Sequence, residues 1–405
     1  MDMPPHSIRT VLMRGGTSKA VFLREADLPD DPAARNRLIL ALFGSPDKRQ
    51  IDGLGGADPL TSKLAIIGPP RTDSPRAAGT HLTYTFGQVE IDHPDIDFLS
   101  LCGNISSAVG AYAVYEGLVA PTAPITIVRV FNTNLNRVLS IEVPVVGKRP
   151  VERGDYVVPG VPGSGARILI DFSDTQGGAT GALLPTGNTR DVLAVDGVGE
   201  IEVSLIDIGN AHVFIRAADV GLKGTETAAE IDADTGLRNR LEKIRGAAAH
   251  RMGLASAPDR ARAETPAAPL LGMVSPPADY RNVLGNCVVR AEDVDLVSRL
   301  MFMQQMHKTY AGTSTVATGV AARLEGTLVY EAARQGPILA DRRNAKDVRI
   351  GHPAGVIETE TEFLSGTNTP VVTRATLGRT ARRLLEGYAF IPDGWQDDMR
   401  GAGDA

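Results

Sequence analysis

One lysine of this chain stands where an ammonium group is costly. Lys63 closes a glycine-rich run that begins at Gly53, and the apolar residues Leu64–Gly68 follow it. A lysine that enters an apolar strand must be paired, deprotonated or extended to the surface. If a cleft lies beside Lys63, its amine can act as a base. We therefore predict that Lys63 is catalytic, the alternative being a lysine that reaches the surface at a strand end.

Cys102 is the second candidate for moving a proton. It is followed by Gly103, Asn104 and a run of small and apolar residues that predicts a buried helix. Free N–H groups and the dipole at a helix N-terminus stabilise negative charge on a nearby sulfur, so this thiol can serve as an acid or base near neutral pH. The alternative is a small buried hydrophobic residue, and that is our interpretation of Cys287.

Several glycine-rich turns predict the binding of carboxylates. Arg14 places a cation beside a glycine turn whose N–H groups can hold an anion. Each such turn alone is more often structural, but together they predict a cleft for a polyanionic small molecule. The predicted substrate-binding residues are Arg14, Gly15, Gly16, Thr17, Ser18, Thr61, Ser62, Gly103, Asn104, Gly187, Asn188, Gly312, Thr313 and Ser314.

Composition and motifs exclude several other classes of protein. A net charge of −6 over 405 residues argues against a nucleic-acid-binding face. The seven histidines are scattered without metal-binding spacing, and no phosphate or dinucleotide fingerprint occurs, so we expect neither a metal nor a cofactor. No apolar run is long enough to span a bilayer, no secretion signal is evident, and the chain has two cysteines, so we expect a cytoplasmic protein without a membrane partner.

The chain contains two diverged copies of one sequence in the same order, which predicts two similar halves. Where the first copy has Lys63 and Cys102, the second has Leu270 and Ala311. The fold is therefore predicted to be symmetric and the chemistry to belong to the first copy. The matching segments are VFLREADL at 21–28 and VFIRAADV at 213–220, RNRL at 35–38 and 238–241, KLAIIGPP at 63–70 and LLGMVSPP at 270–277, and CGNISSAVGAYAVYEG at 102–117 and AGTSTVATGVAARLEG at 311–326.

Residues 1–190 and 191–405 are the predicted domains, and the terminal strand of the second is allowed to cross back to the first. Each half is expected to be a sheet around one hydrophobic helix, in an α+β fold. Hydrophobic spacing and glycine punctuation predict helices over 32–43, 104–116, 237–248 and 313–325, and a loop over 255–269.

The segments MRGGTSK, DGLGGADPLTSK, CGNISSAVG, LLPTGN and IGHPAG resemble the PrpF family of cofactor-independent isomerases, and the resemblance runs from about Ser7 to Pro392. Members include 2-methylaconitate cis-trans isomerase, 3-methylitaconate Δ-isomerase and 4-oxalomesaconate tautomerase. The resemblance implies a diaminopimelate epimerase-like fold of two pseudo-symmetric domains, each a curved, mainly antiparallel sheet around a central helix. It also implies that Lys63 and Cys102 are the catalytic pair.

The predicted function is an isomerase that moves a proton and a double bond in an unsaturated di- or tricarboxylic acid. The alternative is a non-catalytic carboxylate-binding or accessory protein of an organic-acid pathway. An amino-acid racemase is disfavoured, because Ala311 stands where a second catalytic thiol would be needed. The substrate within the family, the direction of the reaction, the choice of base between Lys63 and Cys102, and the oligomeric state, for which a homodimer is one candidate, stay open.

Overall fold

The computed structural model describes residues 7–283, 285, 287–334, 347–364, 370–392 and 394–395. The strands are β1 (Ser7–Gly15), β2 (Ser18–Arg24), β3 (Lys63–Gly68), β4 (Leu82–Val89), β5 (Ile96–Asp97), β6 (Ile125–Asn132), β7 (Arg137–Val146), β8 (Arg149–Pro150), β9 (Ile168–Asp171), β10 (Asp191–Val195), β11 (Gly199–Ile208), β12 (Asn210–Arg216), β13 (Leu270–Ser275), β14 (Tyr280–Arg281), β15 (Val288–Val289), β16 (Leu296–Phe302), β17 (Gln305–Met306), β18 (Asp347–His352), β19 (Gly355–Phe363), β20 (Val372–Arg379) and β21 (Ala381–Phe390). The α-helices are α1 (Pro32–Phe43), α2 (Gly103–Tyr115), α3 (Ala228–Ala233), α4 (Thr235–Arg251), α5 (Ala261–Glu264), α6 (Gly312–Arg323) and α7 (Leu328–Arg334).

The two halves of the chain repeat the same strand pattern. In the first half, β1 pairs antiparallel with β2, β2 parallel with β3, β3 antiparallel with β4, β4 parallel with β6, and β6 antiparallel with β7. Strands β11, β12, β13, β16, β18 and β19 pair in the same sequence of directions. The structure therefore confirms the two copies predicted from the sequence, and we refer to them as the first and second lobes.

A central helix fills each lobe. Helix α2 contacts β1, β2, β6, β7, β9 and β21, whereas α6 contacts β11, β12, β18, β19 and β20. Small residues allow the sheets to close around these helices. A Cβ added at Gly110 would lie 2.5 Å from Ile141 of β7, and one added at Gly319 would lie 2.2 Å from Thr359 of β19. The glycine in the middle of each copy is thus required by the same close approach between helix and sheet.

The last two strands join the lobes. Strand β20 pairs with β9 of the first lobe on one side and with β19 of the second on the other. Strand β21 then pairs antiparallel with β1, so the end of the described chain returns to the first lobe. The division at residues 190 and 191 stays a prediction, and residues 1–6 and 396–405 of the two predicted domains lie outside the described residues.

Two expectations are wrong. The segment 255–269 was expected to be a loop, but residues 258–264 form a 3₁₀ turn and helix α5, because Glu264 accepts hydrogen bonds from the backbone and hydroxyl of Ser256. Cys287 was expected to be buried, but it is exposed before the short strand β15, where little of the chain covers it. No helix within the described part of the chain is long and apolar enough to cross a membrane.

Candidate active site

A small cavity of about 30 Å³ lies between the two lobes, at the N-termini of both central helices. Lys63 and Cys102 both line it, and they are close enough to interact electrostatically. Larger depressions exist elsewhere but lie open at the surface. The described residues that line the cavity are Ser18, Leu60, Lys63, Phe86, Ser100, Leu101, Cys102, Gly103, Asn104, Asn210, Leu270, Phe302, His307, Ala311, Gly312 and Thr313.

The position of Lys63 follows from the pairing of β3. Lys63 is the first residue of that strand, opposite Ala20 of the parallel β2, and it is only 3% exposed. Its Nζ donates a hydrogen bond to Oε1 of Gln88 at 2.5 Å. A 180° flip of the Gln88 amide would break two hydrogen bonds, because its Nε2 donates to the carbonyls of Pro59 and Ser62. The ammonium group is therefore held by a neutral acceptor of fixed orientation.

The surroundings of Lys63 favour its neutral form. Burial lowers the pKa of Lys63, and the nearby Cys102, Asp58 and Asp97 oppose that change by raising it. The Nζ also lies 5.1 Å from the ring centroid of Phe86 and 5.6 Å from that of Phe302. The two rings exclude water from one side of the amine, while their faces attract its charged form. A desolvated lysine of this kind is suited to take up a proton.

Cys102 is the N-cap residue of α2, and Ala311 is the N-cap residue of α6. The two helix starts touch through their backbones, since a Cβ added at Gly103 would lie 2.9 Å from the carbonyl carbon of Gly312 and from the backbone nitrogen of Thr313. Glycine at both positions permits this approach. The positive ends of two helices therefore converge on one cavity, which is a favourable place for a carboxylate.

A side chain from the second lobe holds the helix starts together. Asn210 accepts a hydrogen bond from the backbone N–H of Leu101 and donates to the carbonyl of the same residue and to the hydroxyl of Thr313. His212 bonds to the Asn210 carbonyl and to the hydroxyl of Ser314, and burial lowers its pKa to about 4. Ser314 is thus engaged by His212 and does not line the cavity.

Of the predicted site residues, one group lies at the cavity and another does not. The predicted residues that line the cavity are Ser18, Lys63, Cys102, Gly103, Asn104, Gly312 and Thr313. Those placed elsewhere by the described structure are Arg14, Gly15, Gly16, Thr17, Thr61, Ser62, Gly187, Asn188 and Ser314.

The guanidinium of Arg14 is already engaged. Its Nη1 donates to the carbonyls of Gly16 and Thr380 and to the Thr380 hydroxyl, so it ties the β1–β2 turn to the start of β21. Gly15 and Gly16 pack against the first turn of α2, since an added Cβ would lie 2.4 Å from the Asn104 carbonyl at Gly15 and 2.3 Å from its Oδ1 at Gly16. Gly15 and Gly16 therefore pack against Asn104 and do not line the cavity.

The remaining predicted residues bond to other parts of the protein. The hydroxyl of Thr61 donates to the Asp58 carbonyl, and that of Ser62 donates to the Val89 carbonyl. Gly187 and Asn188 lie in an exposed turn before β10, where the Asn188 amide donates to Asp191. A glycine-rich motif read from sequence does not distinguish a turn that binds a ligand from one that binds its own chain.

Sequence reasoning missed several side chains of the site. Phe86 on β4, Phe302 at the end of β16 and His307 before α6 line the cavity. Gln88, also on β4, does not line it but accepts the hydrogen bond of Lys63. Arg379, which is 1% exposed at the end of β20, donates from Nε to Oδ1 of Asn104 at 2.7 Å, and nothing in its sequence surroundings marked it.

An ion pair joins the lobes beside the cavity. Lys308 of the second lobe donates to Asp58 of the first at 2.6 Å. These two residues line a smaller adjoining space together with Leu60, Phe302 and His307, which also line the main cavity. This ion pair connects the glycine-rich segment before Lys63 with the segment before α6.

The described residues include no group of three or more histidine, cysteine, aspartate or glutamate side chains placed to hold a metal ion. The polar groups of the cavity are a lysine, a thiol, the imidazole of His307, amides, hydroxyls and the N–H groups of two helices. A set of this kind, at the junction of two repeated lobes, is chemically suited to bind an anion and to exchange a proton with it.

The chain belongs to the PrpF family, because the model of that family, described as "PrpF protein", matches residues 6–392. It is 46% identical to the 3-methylitaconate isomerase of Eubacterium barkeri over 384 residues, which are 95% of this chain and 97% of that protein. It is 37% identical to the 2-methyl-aconitate isomerase of Shewanella oneidensis over 402 residues, which are 96% of this chain and 98% of that protein.

Among solved structures, the chain is similar to a methylitaconate-delta-isomerase, with a TM-score of 0.79 and 46% sequence identity over 96% of each chain. The architecture is the diaminopimelate epimerase-like one that the resemblance implied, with two pseudo-symmetric lobes and a helix inside each. With relatives of this similarity over nearly its whole length, the protein is an isomerase.

Proposed function

We propose that the protein catalyses a 1,3-shift of a proton and a double bond in an unsaturated di- or tricarboxylic acid, with Lys63 and Cys102 as the proton-transferring pair. The observation that carries the proposal is that both side chains line one cavity into which two helix N-termini open. A carboxylate bound at those N-termini would hold the adjacent carbon atoms near the amine and the thiol.

The reaction begins when a base removes a proton from the allylic carbon. The electron pair moves through the double bond toward a carboxylate, which gives a dienolate whose charge the helix N-termini stabilise. A proton returns to the other end of the three-carbon unit, and the double bond has moved. We assign the first step to Lys63, because burial lowers its pKa, and the return to the thiol of Cys102. A proton then passes from the ammonium to the thiolate, which restores both groups.

The walls of the cavity support a methyl-bearing substrate of the methylitaconate type as the first choice. Leu60, Phe86, Leu270 and Phe302 offer apolar surface opposite the helix starts. An apolar wall can contact a methyl group of the substrate, and it disfavours the burial of an additional charged group. The relative at 46% identity is named for 3-methylitaconate, which supports the same choice over the methylaconitate and oxalomesaconate types.

The proposal includes a cytoplasmic location, and it is supported by two free cysteines, Cys102 and Cys287. A homodimer is included as the oligomeric state to test. It is supported by exposed apolar side chains on the outer strand β21, where Leu385 is 56% and Phe390 is 72% exposed.

The test is turnover of the candidate acids in heavy water, followed by proton NMR. Wild type should convert methylitaconate and incorporate deuterium at the allylic position. Lys63→Met and Cys102→Ser should each lower kcat by about 10²- to 10⁴-fold. Matched controls are Lys243→Met, whose ammonium bonds to the Asp196 carbonyl on the surface, and Cys287→Ser at the exposed free cysteine.

Both controls should retain wild-type turnover. Near-normal turnover by Lys63→Met would remove that lysine from the mechanism. Binding of the acids by wild type without any deuterium incorporation would instead favour a carboxylate-binding protein over an enzyme.

A further inference from the structure

Arg379 is a buried cation without a carboxylate partner among the described residues. Only 1% of it is exposed, and its described hydrogen bonds go from Nε to Oδ1 of Asn104 and from Nη1 to the carbonyl of Gly378. Burial lowers its pKa to about 10, and the opposing influences come from Tyr156 and Cys102. A buried guanidinium without a counter-charge is costly, so an anion that reaches it would be bound with a large gain.

A second buried donor, without an acceptor among the described residues, interacts electrostatically with Arg379. His352 belongs to the IGHPAG segment, is 1% exposed, and interacts electrostatically with Arg379. Its Nδ1 accepts the backbone N–H of Ala354 at 3.2 Å, so the proton of the neutral ring lies on Nε2. No described group accepts a hydrogen bond from that Nε2, although the atom is buried. The ring is held 6.0 Å from that of Tyr310.

The neighbourhood of these two groups is polar and connected to the cavity. Asn104, which lines the cavity, donates to the hydroxyl of Thr17, which lies 3.3 Å from the hydroxyl of Thr309. Gly160 closes over this pair, since a Cβ there would lie 2.8 Å from Thr309. Arg379, the Nε2 of His352 and the hydroxyls of Thr17 and Thr309 can all donate hydrogen bonds, so their chemistry matches an anion and not a cation.

Another buried arginine nearby differs in its bonding. Arg299 also interacts with His352, but its guanidinium donates to the carbonyls of Glu226 and Ser298 and stacks on Tyr280 at 4.8 Å. Its charge is therefore engaged by the protein. Arg379 has no aromatic partner among the described residues, and its Nη2 makes no described hydrogen bond.

We propose that Arg379 and His352 form a second carboxylate subsite, which binds the carboxylate of the substrate that is remote from the reacting carbons. The inference rests on the proposed function in that it concerns the same substrate. The helix N-termini hold the carboxylate that takes up charge in the dienolate, whereas this subsite selects acids with a second carboxylate. Arg379 and His352 would then determine specificity and orientation without exchanging a proton.

The experiment compares the affinities of two unreactive acids by titration calorimetry. Methylsuccinate carries two carboxylates, and butanoate carries one. Wild type should bind methylsuccinate the more tightly, and Arg379→Met should weaken methylsuccinate by about 10- to 100-fold while leaving butanoate unchanged. Arg379→Lys should recover part of the loss, and His352→Phe, which keeps the ring but removes its donor, should show a smaller loss.

The matched control is Arg245→Met. Arg245 is 2% exposed, but its guanidinium is bonded to Glu242 and to the carbonyls of Thr265 and Ala268, so the ratio of the two affinities should stay at the wild-type value. That ratio does not depend on the fraction of folded protein. An unchanged ratio in Arg379→Met would overturn the subsite, as would an equal loss for both acids, which indicates that Arg379 only supports Asn104.

The two proposals fail separately. If wild type incorporates deuterium but Arg379→Met keeps the wild-type ratio, the isomerase stands and the subsite does not. If the ratio depends on Arg379 but no acid is turned over, the subsite stands and the proposed reaction does not.

Discussion

Gln88→Glu should shift the pH dependence of the enzyme, because Gln88 is the neutral acceptor that contacts the Lys63 amine. The substitution changes one amide nitrogen to oxygen and leaves the shape of the side chain almost unaltered. In the wild type, Oε1 of Gln88 lies 2.5 Å from Nζ of Lys63, and the pKa of Lys63 is lowered by burial. A carboxylate at this place would favour the ammonium form and oppose the effect of burial.

The magnitude follows from the short distance and the enclosed site. An opposite charge within about 4–6 Å moves a pKa by roughly 1–3 units, so the pKa of Lys63 should rise by that amount. The carboxylate cannot donate to the carbonyl of Pro59, which the amide of Gln88 now satisfies, whereas the Ser62 carbonyl keeps the backbone N–H of Val89 as a donor. The unsatisfied Pro59 carbonyl costs about 1–3 kcal/mol, so the variant should also unfold at a lower temperature.

The sign of the kinetic effect depends on the role of Lys63. If its neutral amine is the base, kcat/KM rises with pH as Lys63 loses its proton and reaches a plateau above its pKa. Gln88→Glu should then move this rise to higher pH by about 1–3 units, and below it the rate should fall by about tenfold per unit. Gln88→Met, which removes the acceptor without adding a charge, should leave the rise in place or move it to lower pH.

The assay is the initial rate of isomerisation, measured by proton NMR at several substrate concentrations across the pH range in which both variants stay folded. Circular dichroism at each pH defines that range. If Gln88→Glu and Gln88→Met share the wild-type profile on its acid side, Lys63 is not the group whose ionisation controls the reaction, and the assignment of the base to it fails.

Two further predictions concern the supports of the site. Glu116, which three arginines contact, has its pKa lowered to about 2 by their hydrogen bonds and charges, working against the effect of burial. Its contribution is therefore complete above the ordinary carboxyl pKa and is lost as the pH falls from about 4.5 to about 2. Glu116→Gln should lower the free energy of unfolding at neutral pH by about 1–3 kcal/mol, since solvent around Arg9 and Arg24 screens part of the attraction; the change is measured by urea titration, and a variant that matches wild type there would contradict this account. Gly103→Ala should cost about 1–3 kcal/mol and weaken substrate binding, since its Cβ would lie 2.9 Å from backbone atoms of Gly312 and Thr313, whereas Gly387→Ala, with nothing within 4 Å, should do neither. Equal melting temperatures and KM values in the two glycine variants would show that the helix starts can separate freely.

The repeat could be recognised in the sequence because it reflects a constraint that acts along the chain. Each copy must place a small, apolar helix inside a curved sheet, so glycine recurs at positions 110 and 319, and apolar runs recur at β3 and β13. Such periodic requirements leave a pattern in neighbouring residues, and the strand pairing confirms it. The predicted helix over 32–43 matches α1 at both ends, since Asp31 and Gly44 cap it.

The loop expected over 255–269 shows where local pattern fails. Alanine, proline and charged residues there predicted no regular structure, yet the Glu264 carboxylate bonds to Ser256 and a helical turn forms. The contact joins residues eight positions apart in a segment without apolar periodicity. Hydrophobic spacing carries no record of such a bond, because it depends on where two polar side chains meet after folding.

The residues with unusual local chemistry, Lys63 at the start of an apolar strand and Cys102 before a glycine and a buried helix, could be selected from the chain alone, because their cost or reactivity depends on immediate neighbours. The surroundings of these two residues could not be predicted from the chain alone. Gln88, Phe302 and Arg379 come from distant strands, and their roles arise when β4, β16 and β20 are brought to the same junction. Desolvation and the charge around a side chain are properties of the packed molecule, so the pairing of the lobes decided which of the candidate turns line the cavity and which bond only to the protein itself.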